Sequence, residues 1–226
     1  MDVKRVRRGP DTPLRPEAVI ESALTLADSE GLDAVTIRRL ADEHGVTPMA
    51  LYRHFRDKDD LLEKIADRVL SEMKLPERIE SDSAVELKGL MTSFLEAIRP
   101  HPSIATLIGA QLLQNEQGLE LSERFLSRLV KDGMSNESAA SVGIYAISSM
   151  LTLVSNEPGM GRYSDLENRD DVLRAKRVAL ASLSPRRFPT VIACADALTD
   201  CENSNDYFDL GLELIVKGIK GITLSF

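Results

Sequence analysis

The chain has 226 residues and a formal net charge of −8, with 43% hydrophobic, 28% charged and 4% aromatic residues and no Trp. That length allows a substantial core in one large domain, or in a small one joined to a larger, and the scarcity of aromatics beside abundant Leu, Ala, Glu and Arg favours helices over strands. No apolar run reaches the roughly 18–20 residues of a membrane span, no secretory leader is legible, and Cys194 and Cys201 are too few for a disulfide framework or a four-ligand zinc site, so the expectation is a cytoplasmic protein with no membrane partner.

Residues 1–14 read as a flexible basic arm carrying Lys4, Arg5, Arg7 and Arg8. Such a run is either a phosphate-seeking tail or a solvated terminus. From Glu17 the apolar residues Val19, Ile20, Ala23, Leu24, Leu26 and Ala27 recur with helical period until Gly31. Thr36 is placed to N-cap a second, short helix with Ile37, Leu40 and Ala41 inward and Gly45 as its stop. A third helix begins with Thr47 as its N-cap and Pro48 at its first position, where a missing N–H costs nothing. Asp57 caps a fourth, whose core side is Leu61, Leu62, Ile65, Ala66, Val69 and Leu70. Pro76 and the polar ERIESDS after it read as a hinge that closes a unit spanning 15–74.

Beyond the hinge, 82–226 reads as a second, larger helical unit. Its helices are expected at about Ala84–Arg99, Ile104–Gln114, Leu119–Lys131, Glu137–Ser155, within DDVLRAKRVALASL, at Thr190–Leu198 and at Tyr207–Ile219. NEPGMGRYSD and CENSND read as loops. No segment alternates as a strand would, so the fold class is all-α.

The second and third helices carry the chemistry. Two short helices joined by three or four residues that include a glycine form the helix-turn-helix pattern. Leu51 and Phe55 lie one turn apart and face inward with Val46, which puts Pro48, Met49, Tyr52 and Arg53 on the opposite face. A helix facing only water normally shows Glu and Lys. Met49 and Ala50 suit thymine methyls, Tyr52 suits a phosphate, and Arg53 suits a phosphate or the acceptor pair of guanine. Arg38 is placed to reach a base edge, and Lys58 offers a phosphate clamp. Helical spacing alone also allows Tyr52 as a core aromatic and Arg53 as a solvated cation.

The stretch VTIRRLADEHGVTPMALYRHFRDKDDLL resembles the DNA-binding signature of the TetR family of bacterial repressors. Thr36, Arg38, Leu40, Ala41, Gly45, Val46, Leu51, Tyr52, His54, Phe55, Lys58 and Leu61 carry the likeness, with Ala23, Leu26 and Gly31 ahead of them. The resemblance implies a helix-turn-helix head on a larger ligand-binding and dimerisation domain. It implies Arg38 on a base, Thr47, Pro48 and Met49 in the major groove, Tyr52 and His54 on phosphates, and Lys58 on the backbone. The partners it implies are a palindromic double-stranded operator, a small-molecule inducer and a second copy of the chain.

FDLGLELIVKGIKGI at Phe208 to Ile222 is similar to the last helix of the tetracycline-repressor branch, where two C-terminal helices per subunit form a four-helix interface. The residues this implies for a dimer interface are Ala139, Ala140, Gly143, Ala146 and Ile147 on one helix, with Leu210, Leu214 and Ile215 on the other. That branch holds a magnesium–drug complex through histidine and polar residues. Here Lys74, Pro102 and Ala105 stand at or near those positions, and His101 is one residue out of phase, a rotation of about 100° on a helix. Neither tetracycline nor a metal is therefore expected, and no cofactor. A largely apolar ligand is, with Phe94, Ile98, His101, Leu107, Ile108, Gln111, Phe125, Tyr145, Ser149 and Thr152 as candidates for its wall.

An enzyme is not expected. His44, His54 and His101 lie on separate segments, and neither a phosphate-binding glycine loop nor HExxH spacing is present. A helical interaction protein, an activator and a co-repressor-type regulator stay open beside a simple repressor.

Overall fold

The computed structural model describes residues 14–157, 166–199 and 204–223. Residues 1–13 of the basic arm, Cys201, most of the NEPGMGRYSD stretch (158–165) and the start of CENSND (201–203) lie outside the described residues, whereas Ser204, Asn205 and Asp206, expected in a loop, form the first turn of the last helix. Within them the regular elements are all helical: α1 (Pro16–Glu30), α2 (Ile37–His44), α3 (Pro48–Leu51), α4 (Lys58–Ser71), α5 (Ser83–Ile98), α6 (Ala105–Gln111), α7 (Glu116–Lys131), α8 (Asn136–Ser155), α9 (Leu166–Ala181), α10 (Pro189–Ala193) and α11 (Ser204–Thr223). Short 3-10 turns precede α2, α6 and α11.

The helix ends follow from local chemistry. Thr36 accepts from Arg39 N at 3.2 Å and Asp57 from Asp60 N at 2.8 Å, each satisfying one orphan donor of a first turn. Gly45 ends α2 at φ 66°, a left-handed conformation that glycine adopts without a Cβ clash. Asn115 caps α7 through Gln117 N and Gly118 N, and Asp82 caps α5.

α1, α2 and α3 close around Val19, Ala23, Ala27, Leu40, Leu51 and Phe55, and α4 seals this head with Leu61 and Ile65. The same α4 turns its other side to α5, α6 and α7, so one helix belongs to both cores. The larger body stacks α5, α6, α7, α8 and α11 around Leu87, Leu90, Phe94, Ile98, Leu129 and Val154. α9 packs on α10 and on the 3-10 turn Ala197–Thr199, where Arg177 Nε donates to Thr199 Oγ1 at 3.0 Å.

Three expectations change. The hinge after Pro76 is not a free joint: Arg124 Nη1 donates to Pro76 O at 2.5 Å, and Arg128 donates to Glu80 O and Ser81 O. Charged donors on α7 hold the backbone of a segment that has no regular hydrogen bonds of its own. The helix expected at Thr190–Leu198 stops after Ala193, because Ala195 N bonds to Ile192 O in a tight turn and the chain re-forms as the Ala197–Thr199 turn. Finally, α8 is long and apolar enough to cross a membrane by length and composition, with mean hydropathy 1.4. Its apolar excess is divided between the core, at Ala139, Ala146, Met150 and Val154, and an exposed face at Ile144 and Tyr145.

Candidate nucleic-acid interface and ligand cavity

α3 is a single turn. Tyr52 N reaches Pro48 O, but Leu51 O then accepts from both His54 N and Phe55 N, which tightens the chain into a turn. Arg56 N is captured by Asp60 Oδ2 at 2.9 Å, and Asp57 starts α4. The recognition element is therefore a helical turn continued by hydrogen-bonded turns, shorter than a regular helix from Thr47 to His54. Thr47 precedes it in extended conformation and makes no side-chain cap.

Its two faces are sharply divided. Leu51 and Phe55 are buried and Val46 packs beside them, while Pro48, Arg53 and His54 are exposed, Met49 is 67% exposed and Tyr52 48%. Anchoring Leu51 and Phe55 leaves a rim of methionine, aromatic ring and guanidinium turned outward. Arg38 and Thr36 are exposed at the start of α2. Arg39 beside them is engaged instead, making a two-armed pair with Glu30 at 2.5 and 2.7 Å that holds the Glu30 carboxyl below its usual range. Lys58 is half-buried, its Nζ donating to Leu32 O at 3.3 Å. Arg56, immediately before the N-cap Asp57, adds a cation to this face: its side chain is 79% exposed beside Lys58 and pairs with Asp60 at 3.3 Å.

The body contains a cavity of about 340 Å³ bounded by α5, α6, α7 and α8. Its wall includes Met91, Leu112, Leu121, Phe125, Ala146 and Met150, and its mouth Leu113 and Ile144. Of the residues expected on a ligand's wall, Phe125 borders this cavity. Phe94, Ile98 and Ile108 are buried in the core, and Leu107, Gln111 and Ser149 are half-buried outside the cavity wall. Tyr145 is 71% exposed, and Thr152 is exposed with its hydroxyl on Ser148 O. His101 is also elsewhere: its Nδ1 lies 2.7 Å from Asp28 Oδ2 on α1, tying body to head.

The small residues of α8, expected on a partner-facing stripe, are divided by the structure. Ala139 and Ala146 are buried within the chain's own core, and a Cβ on Gly143 would meet Leu126 of α7 at 3.0 Å. Ala140, Gly143, Ala146 and Ile147 border the cavity. Small side chains facing α7 leave this space, which is the signal in the sequence that could have located it. On α11, Leu210 and Leu214 are largely exposed and Ile215 is half-buried, so these residues join Ile144 and Tyr145 on surfaces that the chain itself leaves uncovered.

Residues 19–65 match the family "Bacterial regulatory proteins, tetR family", and residues 75–222 match "Tetracyclin repressor-like, C-terminal domain". The tetracycline repressor protein class A from transposon 1721 of Escherichia coli is 30% identical over 211 residues, covering 92% of this chain and 91% of that one. The HTH-type transcriptional repressor DrrR1 of Streptomyces coeruleorubidus is 28% identical over 134 residues, 59% of this chain and half of that relative's length. Among solved structures, apo ActR from Streptomyces coelicolor superposes with a TM-score of 0.73 at 27% identity, covering 94% of this chain and 99% of that one. ActR in complex with actinorhodin gives 0.71 at 28% identity over the same shares.

Proposed function

The chain belongs to the tetR family of bacterial regulatory proteins, DNA-binding transcription regulators rather than enzymes, and on that premise we propose that it is a homodimeric repressor released from a palindromic operator by a small molecule. The observation that carries the reading is the outward rim of Pro48, Met49, Tyr52 and Arg53, held there by the burial of Leu51 and Phe55 beneath it. In this reading Thr47, Pro48 and Met49 enter the major groove and Arg38 reads a base edge. Tyr52, Arg53, His54 and Lys58 hold phosphates, with Thr36 close to the backbone. Two heads address successive major grooves, roughly 34–36 Å apart.

Dimerisation is supported by the uncovered apolar side chains on α8 and α11, where Ile144 is 70% and Leu214 62% exposed. Apolar faces of this kind mark protein–protein contacts more often than bare surface. Leu214→Lys should reduce the particle in sedimentation from twice the 24.9 kDa chain mass to one chain. An unchanged sedimentation profile would place the interface elsewhere.

The cavity supports ligand response, as does the ligand-bound state of its structural relative ActR. A ligand that favours one spacing of the two heads lowers operator affinity by its differential affinity for the two states, typically about 1–3 kcal/mol. The direct test selects an operator from random duplexes and titrates it against salt. Affinity should fall steeply with salt as phosphate contacts release counterions. Arg38→Ala should cost about 1–3 kcal/mol and relax preference at one base position, while Tyr52→Ala weakens all duplexes alike. If both variants bind the selected duplex like the parent, the assignment of α2 and α3 to the groove is wrong.

A further inference from the structure

We infer that the molecule received by this cavity is uncharged, ring-rich and equipped with an O–H or N–H donor, and that an ionised ligand or a metal chelate is refused. The inference rests on the ligand-responsive reading above and adds the chemistry of what responds.

The wall itself is largely apolar. Side chains of Met91, Phe125, Met150 and Leu121 are buried there, Leu113 is exposed at the mouth, and Ile144, exposed in the single chain, borders it on the face offered for dimerisation. Thioether and ring surfaces adapt to flat apolar molecules through polarisable contacts. None of the lining residues is a carboxylate, an imidazole, an amide or a cation. A buried charge without a partner is strongly disfavoured, and a metal ion would find none of its usual oxygen or nitrogen side-chain donors.

The arginines of α7 are engaged elsewhere. Ser122, Phe125 and Leu126 share the cavity face of α7 by helical spacing. Arg124 and Arg128, on the same helix but outside that face, bond Glu86 and the linker carbonyls of Pro76, Glu80 and Ser81. They are held away from the cavity.

Two hydroxyls border the cavity, Ser122, which is half-buried, and Ser148, which is exposed, and the half-buried one favours a ligand that brings a donor. The Ser122 hydroxyl lines the cavity and donates its proton to Gly118 O at 2.8 Å. What remains at that oxygen is acceptor capacity. A ligand donor completes it, whereas a carboxylate or sulfonate would bring lone pairs against lone pairs.

The test uses two fluorescent probes with one ring skeleton: neutral N-phenyl-1-naphthylamine, which carries an N–H, and its sulfonated analogue 8-anilinonaphthalene-1-sulfonate. The parent protein should bind the neutral probe at least about tenfold more tightly, because the sulfonate must be buried unpaired. Ser122→Phe, confirmed as folded by circular dichroism, should abolish binding of the neutral probe. Leu113→Lys, at an exposed mouth position, should bring the sulfonate's affinity to within about threefold of the neutral probe's, by supplying a partner charge. Equal or tighter binding of the sulfonate by the parent, no binding of the neutral probe, or unchanged neutral-probe binding in folded Ser122→Phe overturns the inference. If Ser122→Phe does not fold, Leu113→Lys decides, and an unchanged gap between the probes overturns it. Operator affinity is read separately: a neutral probe that binds in the cavity without releasing DNA counts against the release mechanism and leaves the ligand class standing.

Discussion

Replacing Arg124 by Met should destabilise the fold by about 3–5 kcal/mol, the usual cost of breaking a buried ion pair from one side. The reason lies in what Arg124 leaves behind. Glu86 is buried, and its Oε1 accepts from Arg124 Nη2 at 2.6 Å while its Oε2 accepts from Glu80 N at 2.7 Å. Arg124 also caps Pro76 O, so its removal strips the linker of a charged donor and leaves a carboxylate in the core. Urea unfolding measures the loss. Glu86→Gln in the Arg124→Met background should recover part of it, since the remaining side chain is neutral. A loss below about 1 kcal/mol would mean that water compensates Glu86 and that the pair is peripheral.

The same pair sets a pH dependence. Burial works to raise the Glu86 carboxyl, but the hydrogen bond from Glu80 N and the Arg124 guanidinium outweigh it and hold the group below the ordinary glutamate range. A carboxyl depressed in the folded state contributes stability that is complete above its unfolded pKa and is lost as pH falls through the folded one. Stability of the parent should therefore decline on the acid side of the ordinary glutamate range. The decline should be shallower in the Glu86→Gln, Arg124→Met double variant.

Phe55→Ala should cost about 3–5 kcal/mol and remove specific DNA binding. Phe55 is 1% exposed and lies immediately beyond the turn that carries Met49, Tyr52 and Arg53. α3 is too short to hold its own geometry, since an isolated turn fixes several dihedrals for very few hydrogen bonds. Its placement depends on Leu51 and Phe55 being seated in the head core. Thermal unfolding and operator titration check this together. Phe55→Leu, which keeps most of the buried volume, should retain more of both. If Phe55→Ala bound the selected operator normally, the recognition turn would be ordered by something other than this anchor.

The helix-turn-helix was legible because its signals are local. Thr36, Gly45, Pro48 and Asp57 act on their own neighbouring backbone, and the spacing of Leu51 and Phe55 dictates which face is left for Met49 and Tyr52. The helices of the body were legible for the same reason, through their period and their stops. The cavity was not. The apolar stripe of Leu121, Phe125 and Leu129 sets the inward side of α7, but which helices that side meets, and the space left between them, no periodicity announces.

Small residues on α8 show the same division. Sequence patterning allows close approach at Ala140, Gly143 and Ala146 but does not say to what, and the stacking of α7 against α8 makes the neighbour an intrachain cavity. His101 likewise belongs to the contact between head and body, through Asp28. The sequence by itself determined the helical fold, its caps and the outward chemistry of the recognition turn, because those depend on residues within a few positions of one another. Only the tertiary structure decided the location and polarity of the cavity, the pinning of the linker and the uncovered faces of α8 and α11, because each arises where side chains far apart in the chain meet or fail to meet.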